Sequence, residues 1–259
     1  MSEPRPHRLY LHFRELPVSL RVVYTGTLLV LSVGYLFSMI YIFTSHAGRD
    51  GDAAMSADDL VIAYSGSKAD TRLEAALKGP MAGMLPERER AEIVAWVRSG
   101  AEESTYETVS GIFAQRCVAC HGPANPHQPD LTSYEKVLEM IDLDTGMDLF
   151  TMVRVSHVHL LGITFMFFII GVIFSHAYMR PVWLKSTIIG LPFLAIFCDI
   201  ISWYLTKIFA GFAYVVIASG ALMGLCFGSM VVISLLQMWV FALPQALEDR
   251  LGPGGQVIP

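Results

Sequence analysis

Four long apolar runs divide this chain, and a polar stretch of mixed charge separates the first from the other three. The runs are Leu20–Phe43, His157–Met179, Ser186–Thr206 and Phe212–Phe241. Each reaches the roughly 20 residues that a helix needs to cross the hydrocarbon core of a bilayer. The first run is too long for a cleaved leader, so it reads as an uncleaved signal anchor. The pattern predicts a mainly α protein, with one N-terminal and three C-terminal transmembrane helices flanking a small all-α extramembrane domain. Its parts are a cytoplasmic or interfacial segment (1–21), a first transmembrane helix (22–45), an extramembrane domain (46–156), a three-helix transmembrane bundle (157–243) and a cytoplasmic tail (244–259). Within the first part, Leu9–Leu20 is short, aromatic and basic, and is expected along the inner membrane surface. The polar, Gly- and Pro-bearing Leu247–Pro259 reads as a disordered tail.

Inside the extramembrane stretch the pattern changes from continuous to periodic. His46–Met55 is polar and reads as a linker leaving the membrane. Leu85–Gly100 is amphipathic: Pro86 suits a first helical turn, Glu87 and Glu89 complement the helix N-terminus, and Gly100 stops it. Ile93, Trp96 and Val97 fall at i, i+3 and i+4 and should face a core. A second helix is expected over Glu107–Ala119 and a short third one over Tyr134–Ile141.

Composition and charge supply the sidedness. At 54% hydrophobic the 259-residue chain is too apolar for an ordinary soluble protein. Arg5, Arg8, Arg14 and Arg21 precede the first span, and Arg180 and Lys185 lie between spans two and three. The positive-inside rule places both segments in the cytoplasm and residues 46–156 outside. In a bacterium that side is the periplasm. The segment holds eighteen Asp and Glu against ten Lys and Arg, a balance of −8. Such an acidic face steers a basic redox partner or keeps the domain soluble.

The outer segment also carries Cys117-Val118-Ala119-Cys120-His121, a C-x-x-C-H run and the attachment signature of c-type haem. Two thiols three positions apart on one helical turn can each add across one vinyl group of the same porphyrin. The adjacent His121 then serves as the proximal iron ligand. The other two cysteines, Cys198 and Cys226, lie in spans three and four, where a thiol behaves as a small hydrophobe. A zinc site built on Cys117 and Cys120 lacks partners at a usual spacing, because His127 follows too closely.

Around that run the chain resembles small class I-type cytochrome c domains. Gly79-Pro80-Met81-Ala82-Gly83-Met84-Leu85-Pro86, followed by a helix ending Trp96-Val97-Arg98-Ser99-Gly100-Ala101, is similar to the distal half of that family. There a Met-bearing loop supplies the sixth iron ligand, and a final helix with an aromatic residue closes over the haem. Gln115–Pro129 is similar to the proximal half, with Gly122 after the ligand histidine. The pieces cover less than a third of the chain, and their order is reversed, as in a circular permutation. The resemblance implies one covalent haem c held by Cys117, Cys120, His121 and Met84, with His121 and Met84 on the iron. Met81 on the same loop, Met140, Met147, Met152 and His127 remain the other candidates for the sixth position.

The spans add ionisable residues, which mark sites or pathways more often than packing. Asp199, His157, His159 and His46 lie toward the outer ends of their spans, with Trp203, Tyr204 and Lys207 close by in sequence. This cluster could bind a quinol head group, or hold haem b through His46 and a span-two histidine; the favoured reading is structural, with His157 and His159 facing the head groups and Asp199 paired with Lys207 two turns along. His176 stands alone near the inner surface, with His7 and His12 in the N-terminal segment, so no inner pair is evident and haem b is not expected. Gly220, Gly224 and Gly228 form a small-residue stripe, and Gly26, Gly34 and Ser38 a second, both suited to close helix approach.

The expected function is that of a bacterial inner-membrane c-type cytochrome with its haem domain in the periplasm. It would pass single electrons between membrane redox enzymes and periplasmic carriers as a subunit of a larger complex, not as an independent enzyme. Two alternatives stand beside it: a quinol-oxidising subunit with a site near His159 and Asp199, and an anchoring or assembly subunit of a respiratory or photosynthetic complex. No nucleotide loop, catalytic triad or nucleic-acid motif occurs.

Overall fold

The computed structural model describes residues 11–125 and 128–242. The described residues are mainly helical, without a strand, and the one β-type contact is an isolated bridge between Thr71 and Leu143. Nine α-helices follow in order: α1 Val18–His46, α2 Ala57–Ser65, α3 Arg72–Lys78, α4 Glu87–Arg98, α5 Glu103–Ile112, α6 Tyr134–Leu138, α7 Leu149–Phe174, α8 Val182–Thr206 and α9 Phe212–Trp239. Four of them, α1, α7, α8 and α9, are long and apolar enough to cross a membrane, as the apolar runs predicted. The α7 helix begins before its apolar run because Asp148 caps it, accepting a hydrogen bond from the Thr151 amide at 2.9 Å. Tail residues 244–259 and the arginines and histidine before residue 11 lie outside the described residues.

The chain divides into two compact units. The first comprises residues 1–38, 154–201 and 215–259. Its interior is apolar, with Phe167, Ile170 and Phe174 of α7 and Met230 and Met238 of α9 fully buried. In the first span, α1, Leu28 is buried, whereas Val30 and Phe37 are exposed. Tyr35 of α1 stacks on Phe227 of α9, with ring centroids 4.4 Å apart. A side chain at Gly224 would meet the Tyr35 hydroxyl at 3.1 Å, so that glycine admits the ring. Nothing lies within 4 Å of an added Cβ at Gly26, Gly34, Gly220 or Gly228, and these positions of the two stripes are open.

The described part of the N-terminal segment packs within the protein, where Phe13 is 0% exposed and Leu16 is 6% exposed. A 3-10 turn at Phe13–Glu15, closed by His12 and Glu15 in a capping box, places Phe13 against the His176 ring. His176 donates from Nδ1 to the Leu11 carbonyl at 2.7 Å, and His12 donates from Nε2 to Gln237 Oε1 at 3.1 Å. Gln237 also joins the backbone of Tyr178, accepting from its N–H at 2.7 Å and donating to its carbonyl at 2.8 Å. Residues 11–16, the turn after α7 and the end of α9 therefore share one end of this unit. Lys185 helps to close the turn by donating to the Ser175 and Ala177 carbonyls.

The second unit comprises residues 39–153 and 202–214. Its core joins Leu73 and Leu77 of α3, Ile93, Trp96 and Val97 of α4, Val109 of α5, and then Phe113, Cys117, Leu131 and Val137. The i, i+3, i+4 stripe of α4 is thus buried as predicted. Full burial of a side chain such as Ile93 or Phe113 contributes about 1.5–3 kcal/mol. Trp96 meets Phe113 edge-on at 6.4 Å and Tyr106 at 5.6 Å, so that α4 closes over α5 through aromatic rings. Two helices, α2 and α3, were absent from the sequence expectation. Each starts with a capping box, Ser56 with Asp59 and Thr71 with Glu74.

Residues between α8 and α9 belong to this second unit. The Lys207 ammonium donates to the carbonyls of Tyr64, Thr145 (3.1 Å) and Met147 (2.8 Å), which uses its three N–H groups. Trp203 stacks on Tyr64 at 5.7 Å, and Ser65 donates to the Thr206 carbonyl at 2.9 Å. The strand-like strap 142–147 crosses the end of α2 so closely that a Cβ on Gly146, whose φ is +72°, would fall 2.4 Å from the Tyr64 carbonyl oxygen.

Candidate functional site

Helix α5 does not run on as a regular α-helix to Ala119. It passes into a π-turn over Phe113–Cys117, in which Val118 donates to the Phe113 carbonyl at 3.1 Å. A π-turn inserts a residue into the helical ladder and is found most often at functional sites. Here it sets Cys117 inward, 9% exposed in the core of the second unit, while Cys120, three positions on, is exposed. The Cys120 and His121 amides both donate to the Cys117 carbonyl, at 3.0 and 2.7 Å, and close the turn. Gly122 must lack a side chain, because a Cβ there would lie 2.7 Å from the Val118 carbonyl oxygen.

The His121 ring is oriented by its own backbone return. Nδ1 lies 3.0 Å from the Pro129 carbonyl oxygen. A carbonyl can only accept, so Nδ1 carries the proton and Nε2 carries the lone pair in the neutral ring. The loop is held for this purpose: Leu131 donates to the His121 carbonyl at 2.9 Å, and Leu131 is itself buried in the core. A histidine fixed at Nδ1 by a carbonyl is the form that binds a metal through Nε2.

The electrostatics keep the inner thiol neutral. Burial pushes the Cys117 thiol up from its ordinary value, and the carboxylate of Glu89 adds to the shift. Glu89 is held low by Arg116, which makes two hydrogen bonds to it at 2.9 and 3.0 Å. That pair joins the first turn of α4 to the residue preceding Cys117.

The loop before α4 holds two of the candidate thioethers. Met84 is 71% exposed, and its amide donates to the Met81 carbonyl at 3.0 Å. Met81 is half-buried against the cluster that contains Cys117, and Met140 packs on the same cluster. Arg90 ties the loop to α4, donating to the Ala82 carbonyl at 2.9 Å. Met152 is fully buried at the start of α7, and Met147 is engaged through its backbone with Ala63 and Lys207. His127 lies outside the described residues.

Among the described residues, no three His, Cys, Asp or Glu side chains converge as ligands of one metal ion do. An accessible Cys120, an inner Cys117 on the same turn and an Nε2 lone pair fit a covalently attached haem.

The intramembrane candidates are spread over both units. In the first, Asp199 is 8% exposed within α8, and His157 and His159 are exposed on α7, with His159 Nδ1 donating to the Val155 carbonyl at 3.0 Å. In the second, His46 donates from Nδ1 to the Ile42 carbonyl at 3.1 Å, and Trp203 and Lys207 pack on Tyr64 and the strap 142–147.

Sequence reasoning found the two thiols and the imidazole but missed what holds them. The Pro129 carbonyl is a backbone atom eight residues away and has no motif. The capping boxes of α2 and α3 were legible as Ser-x-x-Asp and Thr-x-x-Glu.

Residues 145–245 match the Aq_1264_TM family, a transmembrane helical domain. The match spans α7, α8 and α9 and stops short of the segment holding Cys117, Cys120 and His121. No curated protein and no solved structure matches the chain.

Proposed function

We propose that the chain, a multi-pass membrane protein whose last three spans are similar to a transmembrane helical domain family, is a membrane-bound c-type cytochrome, which transfers single electrons between membrane redox enzymes and periplasmic carriers as a subunit of a larger electron-transport complex. The observation that carries this reading is the His121–Pro129 hydrogen bond on the turn that also presents Cys117 and Cys120. The imidazole Nε2 is thereby held ready for an iron, and the two thiols flank it on one turn.

Bound haem supplies a one-electron ferrous/ferric couple. The protein's own part is attachment and tuning. Cys117 and Cys120 would hold the group by thioether bonds, each thiol adding its S–H across a vinyl double bond, and His121 together with a thioether of the loop 79–85, Met84 with Met81 as its neighbour, would be the iron's ligands. The aromatic group of Trp96, Tyr106, Phe113 and Tyr134 excludes water behind Cys117. The packing of α4 on α5 supports a distal half that precedes the attachment motif in sequence yet closes against it in space. In this reading the domain faces the periplasm of a bacterial cell membrane.

The test is a pyridine haemochrome spectrum of the purified full-length protein, made with cytochrome c maturation machinery present, with iron counted per chain. One haem c per chain is the expected result. Absence of covalent haem overturns the reading, and an added haem b would shift the chemistry to a quinol-linked bundle around His159 and Asp199.

An anchoring subunit is a second reading, favoured by the open faces at Gly26, Gly34, Gly220 and Gly228. Small residues with no neighbour inside the chain leave room for the helix of another subunit.

A further inference from the structure

A concavity lies away from the Cys117–His121 turn, within the second unit at the end of α1. It has a volume of about 620 Å³, within the range of small-molecule sites. One wall is the last turn of the first membrane-spanning helix, at Phe43, Thr44 and Ala47. Its lining also carries two cations, Lys78 and Arg90, and two carboxylates, Asp52 and Glu87.

Each cation retains unused donors. Lys78 spends one N–H on Asp70 at 2.7 Å, and Arg90 spends Nη1 on the Ala82 carbonyl. Both groups are thus held in place by one partner and open to another. The Arg49 guanidinium lies alongside, where a Cβ added to Gly79 would meet it at 2.8 Å. The Phe43 side chain is 51% exposed and continues the apolar face of α1 up to the polar wall.

We infer that this groove holds the head group of a zwitterionic phospholipid of the phosphatidylethanolamine type. The phosphate meets Lys78 and Arg90, the primary ammonium meets Asp52 and Glu87, and the acyl chains leave along Phe43. Position and charge carry the assignment. A site that begins on a membrane-spanning helix and ends on paired charges of both signs matches a molecule that is apolar at one end and bears both charges at the other. A purely anionic head group would set its phosphate beside Asp52 and Glu87 with no cation of its own to meet them, and a neutral quinone head would make no use of the remaining donors of Lys78 and Arg90. Charge-assisted hydrogen bonds to phosphate are the strong contacts of such a site.

The experiment is native mass spectrometry of the full chain, released from nanodiscs made with equal parts phosphatidylethanolamine and phosphatidylglycerol. About one phosphatidylethanolamine per chain is expected to survive activation, with about tenfold preference over phosphatidylglycerol, the equivalent of about 1.4 kcal/mol. Arg90→Gln removes the phosphate contact, and Ala53→Trp fills the groove from an exposed loop while leaving every charge in place. Both variants are expected to lose about tenfold of the retained lipid. Gel filtration and circular dichroism verify folding, and Ala53→Trp decides alone if Arg90→Gln does not fold. Equal retention of the two lipids, no retained lipid, or parent-like retention in a folded Ala53→Trp each overturns the inference.

Discussion

His121 and Pro129 are eight residues apart in sequence and 3.0 Å apart across an Nδ1–H···O=C hydrogen bond. This bond selects the tautomer that presents Nε2. His121→Ala is therefore expected to retain haem through both thioethers yet lose the low-spin absorption spectrum. Cys120→Ala should leave a single thioether and shift the pyridine haemochrome α band to longer wavelength, because one vinyl group stays conjugated. Spectra that are unchanged in both variants would refute the assigned roles.

The two methionines of the 79–85 loop separate by environment. Met84 is exposed and costs little to change, whereas Met81 packs on the Cys117 cluster. Met84→Leu should abolish the long-wavelength sulfur-to-iron band and lower the midpoint potential with little change in melting. Met81→Leu should keep the band and shift stability by less than about 1.5 kcal/mol, as volume-conserving core swaps do. Redox titration with parallel thermal unfolding distinguishes them. A band lost only in Met81→Leu would move the ligand to Met81.

Acid should weaken the second unit through Glu74. Burial acts to raise its carboxyl, but hydrogen bonds from Thr71 and Arg98 outweigh it and hold the group below its ordinary 4.5. A depressed folded-state value means that the stabilisation is present above pH 4.5 and is lost as pH falls through the folded value. Glu74→Gln should flatten that acid limb. It should also destabilise at neutral pH by about 1–2 kcal/mol through the weakened cap and the lost Arg98 pair. Unfolding followed by tryptophan fluorescence between pH 7 and 3 measures both.

Lys207 holds three carbonyls of its unit with one ammonium. Lys207→Met keeps the stem and removes all three donors, leaving the oxygens of Tyr64, Thr145 and Met147 to water. A loss of about 1–3 kcal/mol is expected, seen as faster hydrogen exchange over residues 142–148. Exchange unchanged from the parent would show that water replaces the ammonium without cost.

Gly224 and Gly228 sit one turn apart on α9 and face different surroundings. Tyr35 of the same chain occupies the space at Gly224, and nothing lies within 4 Å at Gly228. Gly224→Leu should destabilise the chain itself by displacing Tyr35 from Phe227. Gly228→Leu should leave the isolated chain intact and reduce co-purification of partner subunits. Equal partner recovery in Gly228→Leu would argue against the anchoring reading.

The linear sequence determined the spans, because twenty apolar residues in a row cannot be solvated and have few other ways to satisfy their backbone. It determined the core stripe Ile93, Trp96 and Val97 from helical spacing alone, and it placed Cys117, Cys120 and His121 together because the turn that joins them is local. It also carried the starts of α2 and α3 in Ser56–Asp59 and Thr71–Glu74, a signal that short amphipathic helices offer only through their caps. What it did not determine were relationships between distant residues. Phe13 is buried because His176, 163 positions on, docks the segment through Leu11. The loop after Thr206 joins the unit of residues 39–153 because Lys207 finds carbonyls that the end of α2 and the strap 142–147 aim at one point. The groove at Phe43, Lys78 and Arg90 exists because α1, α3 and α4 meet there. Carbonyl directions and meeting points of helices follow from the folded backbone, which no residue type records, and only the tertiary structure decided them.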